Sequence, residues 1–388
     1  MKKFDVKAGG AKINNQIPEE MDDNWDLKKL FMEQSYRIVD SSDNIRSIFY
    51  ENEPYRGHPT EVFAYLGVPD KCSEKIPGMV CVHGGGGKAY REWVKIWTDR
   101  GYAAIAMDLA GRGPDGERFS LSGPDKDDES KFNVDAGWHD LWTYHAIAAV
   151  IRGHSILRSF PGVDAGCIGV TGISWGGYLT CIAAGLDNRL GCAIPVYGCG
   201  FLQDNSVWIS TFSKMSPEKK KFWHEKCDPS IYLPSAKIPM LFVTGTNDFA
   251  YPMDSLKKSY SLPKGTVSLC IRIEMPHGHT PGWSAHEIDI FTDSLFRGRP
   301  GLPVFTSVTR DGRKAEASFA CNCRVEKGIL AYTTDTGKWQ ERKWHQISLE
   351  VKENRIGGTM PEGTTVYFMA VEDERGAYAS TPHEENKK

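Results

Sequence analysis

The chain has 388 residues, of which 40% are hydrophobic and 25% charged, and its formal net charge is -3. That length accommodates an enlarged α/β domain with a small second one, and the composition is that of a globular protein able to bury a core. The charge balance lacks the clustered cationic excess that nucleic acid or anionic lipid demands, and no apolar run reaches the ~20 residues of a membrane span. The sequence therefore predicts neither a nucleic-acid nor a membrane partner.

Residues 1–45 read as a polar N-terminal extension with one amphipathic stretch, "NWDLKKLFMEQSY". The opening "MKKFDVKAGGAKINN" has lysines and no apolar segment after them, which predicts a cytoplasmic location; a trimmed chain would fit a secreted or periplasmic one equally well. Several of the ten cysteines sit inside apolar runs such as "MVCVHG" and "SLCIRI", where cysteine acts as a small buried hydrophobe. No CxxC pair occurs, so a zinc site is not expected, and the usage suits a reducing compartment.

"IRSIFYENE" and "TEVFAYLGVP" alternate at period two around "PYRGHP", as an antiparallel pair does. From residue 78 the rhythm changes to short, nearly continuous apolar runs: "GMVCVH", "YAAIAMDLAG", "GCIGVTG", "GCAIPVYG", "IPMLFVTGTND" and "TVSLCIRIEM". Such runs are strands buried on both faces of a parallel sheet, and the helical segments between them predict a doubly wound, mostly parallel α/β fold over residues 46–300. After "RGRPGLP" the helices stop. "KAEASFAC", "GILAYTTD", "HQISLEV" and "TTVYFMAVED" predict a small all-β sandwich of immunoglobulin-like size over residues 301–388, with Trp339 and Trp344 in its core.

Within the α/β part, "GVTGISWGGYLT" places Ser174 between an apolar strand and a helix that opens on glycines. This is the strand–turn–helix context of a G-x-S-x-G nucleophile elbow, although a serine there also serves as a plain helix cap. A hydroxyl needs a base within reach and the base needs an orienting acid. Asp248 closes the run "IPMLFVTGTND", and His279 follows the last parallel strand in "EMPHGHTPGW". Both fall at the carboxyl ends of strands, where the crevice of such a sheet lies, in the chain order Ser, Asp, His. His277 is the rival base. At most one of the two rings is expected to face the serine, and His279 is favoured because it stands further from the strand, just after Gly278. Oxyanion donors are expected from the Trp175 amide and from the loop "HGGGG", with Gly85 first and Gly86 next.

The same loop carries a rival reading. Gly84, Gly86 and Ala89 fit G-x-G-x-x-A, and Asp108 ends the next strand where a ribose-binding acid would stand. His83 separates the strand from the first glycine, and an NAD(P)-binding oxidoreductase would leave Ser174, Asp248 and His279 unexplained. Two segments are expected to shape a pocket: the polar insertion 111–135 as a lid, and "FLQDNSVWISTFSKMSPEKKKFWHEKCD" as a cap. Trp175, Trp208 and Trp283 offer faces on which a sugar ring could stack, or else serve packing.

On "HGGGG", "GISWGG", "GTND" and "HGH" the chain resembles the α/β-hydrolase superfamily over roughly residues 45–298. It looks closest to the branch of prolyl-oligopeptidase-type domains, dienelactone hydrolases and acetyl xylan esterases. The resemblance implies Ser174 as nucleophile, Asp248 as acid, His279 as base and no metal or organic cofactor. It lacks the length for the propeller that gates the branch's peptidases. This favours an ester substrate, a small molecule or acylated carbohydrate, over a peptide; a non-catalytic glycan-binding protein is the remaining alternative. Oligomeric state is not readable from the chain.

Overall fold

The computed structural model of the protein describes residues 24–69 and 74–386. The expected extension lies outside the described residues up to position 23, as does Cys72. Strands β1 (Tyr36–Ser42), β2 (Ile45–Tyr55), β3 (His58–Gly67), β4 (Ile76–Val82), β5 (Ala103–Met107), β6 (Val163–Ile173), β7 (Cys192–Val196), β8 (Met240–Gly245) and β9 (Val267–Arg272) form one sheet in the order β1-β2-β3-β5-β4-β6-β7-β8-β9. From β5 to β9 the pairs are parallel, while β1, β2 and β3 join antiparallel on the β5 side. Every residue of β5, β7 and β8 is buried, which is why these strands read as unbroken apolar runs.

The helices of this part are α1 (Leu27–Phe31), α2 (Arg91–Asp99), α3 (Asp128–Phe132), α4 (Trp142–Ser159), α5 (Trp175–Leu186), α6 (Ile209–Ser213), α7 (Pro217–Cys227), α8 (Pro229–Tyr232), α9 (Met253–Tyr260), α10 (His279–Trp283) and α11 (His286–Arg297). All of α5 is buried, so it needs no polar face and shows none.

The extension does not run to residue 45 as expected. Tyr36–Ser42 is the edge strand β1, paired from Tyr36↔Tyr50 to Ser42↔Ile45. Six of its seven residues are exposed, so it lacks the alternation that marks a half-buried strand. Ahead of it Trp25 is buried against Trp138 and Tyr144, with centroids 5.1 and 5.2 Å away, and Leu27 and Leu30 are buried too.

Beyond α11 the chain builds two antiparallel sheets. β10 (Val304–Asp311), β11 (Lys314–Ala320), β15 (Arg355–Thr359) and β14 (Val351–Lys352) form one; β13 (His345–Leu349), β12 (Val325–Thr333), β16 (Val366–Asp373) and β17 (Tyr378–Ser380) form the other, with β18 (Glu384–Glu385) on β16. Phe319, Leu330, Ile356, Tyr367 and Met369 are among the side chains that fill the space between them. Trp339 and Trp344, expected in that core, instead join the main core that continues into the α/β part. The β part also reaches the loop after β8: the Asn247 side chain donates to the carbonyls of Gln340 (3.1 Å) and Arg342 (2.7 Å).

Candidate active site

Ser174 follows β6, the third parallel strand in the chain, with φ 59° and ψ -118°. This left-handed conformation is costly for a non-glycine residue and persists only where the surroundings over-determine it. Close approach does so here. A Cβ on Gly172 would lie 2.2 Å from the Gly176 carbonyl oxygen, and one on Gly176 would lie 2.0 Å from that of Val82. The Ser174 amide donates to Val196 O (2.8 Å), and Tyr178 N donates to Ser174 O (2.9 Å), starting α5. The turn is thus pressed between β4 and β7, and the serine side chain is left half-buried at the carboxyl edge of the sheet. No side-chain cap bond from Ser174 to the helix is made, which sets aside the plain capping role.

Asp248 is buried in the turn after β8. Its Oδ1 accepts the amides of Ala250 (2.9 Å) and Tyr251 (2.8 Å), leaving Oδ2 to receive the His277 Nδ1–H at 2.6 Å. The pairing follows from the sheet: Gly245 is in register with Arg272, so the loops leaving β8 and β9 run side by side. The His277 ring stacks on Tyr197 (centroids 4.5 Å, 25°) and touches Phe249 (4.6 Å), which fixes its plane. With Nδ1 occupied, Nε2 is the nitrogen free to exchange a proton.

His279 does not take this place, contrary to the sequence expectation. It opens the single turn α10, and its Nε2 accepts the Gly84 amide at 3.0 Å. A nitrogen that accepts that bond carries no proton. Burial first, then His83, His277 and Lys126, push its pKa down to about 4. The ring lies between Tyr90 (4.9 Å) and Trp283 (6.1 Å), so Trp283 backs the histidine and Trp93 (5.3 Å). Trp208, by contrast, sits at the site from the cap side, 4.5 Å from Trp175 and 5.3 Å from Tyr251.

The Trp175 and Gly85 amides have no internal hydrogen-bond partner among the described residues. The first belongs to the opening turn of α5, where helical N–H groups have no intrahelical acceptor. Gly85 lies against Trp175: a Cβ there would meet the indole Cδ1 at 2.8 Å. Gly86, the other expected donor, is exposed with open space around it. The insertion 111–135 runs past this loop, with Lys126 Nζ donating to the Gly87 carbonyl and Lys131 Nζ lying 5.0 Å from the Trp175 ring.

Sequence reasoning missed Tyr251. Its phenol is buried close to the Ser174 hydroxyl, and among the described residues its own hydroxyl makes no hydrogen bond of good geometry. Burial foremost drives its pKa far up, with the Ser174 hydroxyl among the neighbours acting the other way. A tyrosine three residues past the acid was the only available signal. Asp108 is buried and uses Oδ1 on the amides of Ala110 and Arg112 (2.8 Å each), which gives it the role of closing its own turn.

Sheet order, the strained serine turn after β6 and the acid–histidine pair at the ends of β8 and β9 define an α/β-hydrolase. Residues 12–214, just over half of the chain, match the acetyl xylan esterase (AXE1) family model, and the chain belongs to that family. It is 25% identical over 214 residues to the acetyl esterase Axe7A of Xylanibacter ruminicola, covering 49% of this chain and 46% of that protein. The chain thus spans less than half the length of this curated relative. Among solved structures it is similar to the acetyl xylan esterase of Paenibacillus sp. R4 (TM-score 0.59, 19% identity, 73% of this chain and 97% of that one). Acetyl xylan esterase 1 of Thermoanaerobacterium sp. JW/SL YS485 is similar as well (TM-score 0.57, 17% identity, 73% and 96%).

Proposed function

We propose that the protein is a serine-dependent carboxylic ester hydrolase acting on acylated, in the first place acetylated, carbohydrate. The observation that carries the reading is the 2.6 Å Asp248–His277 bond at the carboxyl ends of β8 and β9, together with a serine held at φ 59° at the carboxyl end of β6 in the same sheet. Family membership and the names of the relatives supply the substrate class.

In this mechanism His277 Nε2 takes the Ser174 proton as Oγ attacks the ester carbonyl, and Asp248 stabilises the imidazolium through Nδ1–H. The charge that develops on the carbonyl oxygen meets the Trp175 and Gly85 amides. Collapse expels the alcohol, protonated by His277, and leaves an acyl group on Ser174. Water then attacks with the same histidine as base, and the carboxylic acid departs.

The test is fluorophosphonate labelling beside hydrolysis of 4-nitrophenyl acetate and acetylated xylo-oligosaccharides, with Ser174→Ala as the control. Labelling and acetate release that both vanish in the variant are expected. Folded wild type that neither labels nor releases acetate refutes the reading.

A further inference from the structure

We propose that His279 is a positioning residue for the oxyanion loop, holding the Gly84 amide so that the next amide, that of Gly85, is presented to Ser174. The inference rests on the serine-hydrolase reading and deepens it.

Gly84 is gripped at both of its backbone groups by histidines. Its N–H donates to His279 Nε2 (3.0 Å), and its carbonyl accepts from His83 Nδ1 (2.7 Å) and from the Gly87 amide (2.9 Å). His83 in turn accepts the Leu109 amide on Nε2 at 2.9 Å, which ties the loop to the end of β5. Because the Gly84 amide is spent on His279, it is closed to a substrate oxygen, and Gly85 supplies the first open amide. The His279 ring also explains why position 87 is a glycine. A Cβ on Gly87 would lie 2.6 Å from Nε2, so the ring fills the volume that a side chain would take there, while at Gly84 the Ile173 carbonyl oxygen, 2.7 Å from such a Cβ, excludes one. Accepting the Gly84 bond requires the Nδ1–H tautomer of a neutral ring, and the depressed pKa of about 4 keeps it neutral at working pH. His277 and His279 then divide two tasks, proton transfer and loop geometry, within three residues.

The experiment compares His279→Phe, which keeps an aromatic ring against Tyr90 and Trp283 but has no acceptor, with His279→Gln, whose Oε1 can replace Nε2. With 4-nitrophenyl acetate, kcat of the Phe variant should fall about 10–100-fold with KM within about a factor of two, somewhat less than deletion of an oxyanion donor outright. Affinity for a boronic acid that forms a tetrahedral adduct on the serine should weaken by the same factor. The histidine inflection of the pH–rate profile should persist, since His277 carries it, and the Gln variant should recover most of the rate. Amide hydrogen exchange across residues 83–90 should quicken in the Phe variant and not in the Gln one. Wild-type kcat, boronate affinity and exchange in His279→Phe would overturn the proposal. So would loss of the inflection together with about 10⁴-fold in rate, which would make His279 the base. If wild type shows no Ser174-dependent hydrolysis, the hydrolase reading falls alone, and the exchange comparison still decides whether His279 holds the loop.

Discussion

Acidification from neutrality to pH 5 should strip this fold of much of its stability, and three buried histidines set the size of the effect. His83 is held neutral by donating from Nδ1 and accepting on Nε2, and burial pushes its pKa down to about 3. Burial likewise lowers His145 to about 4 and His383 to about 3. In the unfolded chain each protonates near 6.5, so below that pH the unfolded state binds more protons and stability falls as pH falls. The loss runs through the window from about 6.5 down to about 4. Each group contributes about 1.4 kcal/mol per pH unit there, so the three together remove roughly 6 kcal/mol by pH 5, and His279, lowered to about 4, and His154, also lowered by burial, add to the loss in the same sense. That is a large part of the ~5–15 kcal/mol that a folded domain holds in reserve. Asp108 and Asp289, whose pKa values burial raises, act in the opposite sense, but only as the carboxylate range is approached. Guanidinium midpoints at half-unit steps from pH 7 to 5, followed by tryptophan fluorescence, measure the slope. His145→Gln should reduce it by about a quarter or less. A midpoint that does not move between pH 6.5 and 5, or uptake of less than one proton per chain on unfolding at pH 5, would refute the reasoning.

His277→Ala should cost about 10⁴-fold or more in kcat while leaving KM nearly unchanged, measured on 4-nitrophenyl acetate. Asn247→Ala removes both bonds to the β part and frees the turn that carries Asp248. It should lower thermal stability by about 1–3 kcal/mol and kcat several-fold, and an unchanged kcat would show that the turn holds without them. Tyr251→Phe deletes a buried hydroxyl that makes no well-formed hydrogen bond among the described residues, so the protein should be as stable as wild type or more so; a drop in kcat in the same variant would place that hydroxyl, which neighbours Ser174, in the reaction. Gly176→Ala drives a methyl to 2.0 Å from the Val82 carbonyl and should yield little folded protein, read as soluble expression.

Much of this site is legible because burial on both faces leaves its mark on composition. β4, β5, β7 and β8 were readable as unbroken apolar runs, and the glycines around Ser174 were readable because backbone atoms crowd every place where a Cβ would go. The choice between the histidines was not. Position along the loop favoured His279, but the loop turns at Glu274 (φ 51°) just after β9, carries His277, and then coils into α10, where His279 faces Gly84. Only the β8–β9 register, a long-range fact, sets His277 beside Asp248. The β1 strand escaped for the opposite reason: at an exposed edge nothing selects a side-chain pattern. Trp339 and Trp344 were assigned to the wrong core because an apolar residue in a β segment does not say which neighbour it meets.

The outermost parallel strand, β9, is not left bare. The Ile271 amide donates to Ser380 Oγ at 3.1 Å, and Glu287 joins Arg272 (2.5 Å) to the Tyr378 amide (3.0 Å). Arg272 also lies 4.6 Å from the centre of the Tyr378 ring. The strand β17 therefore works as a lining along an edge that would otherwise offer its backbone to any other extended chain. A protein cut back near residue 300 would keep Ser174, Asp248 and His277 and still be a poor enzyme to handle, because its exposed β9 edge would recruit copies of itself into aggregates.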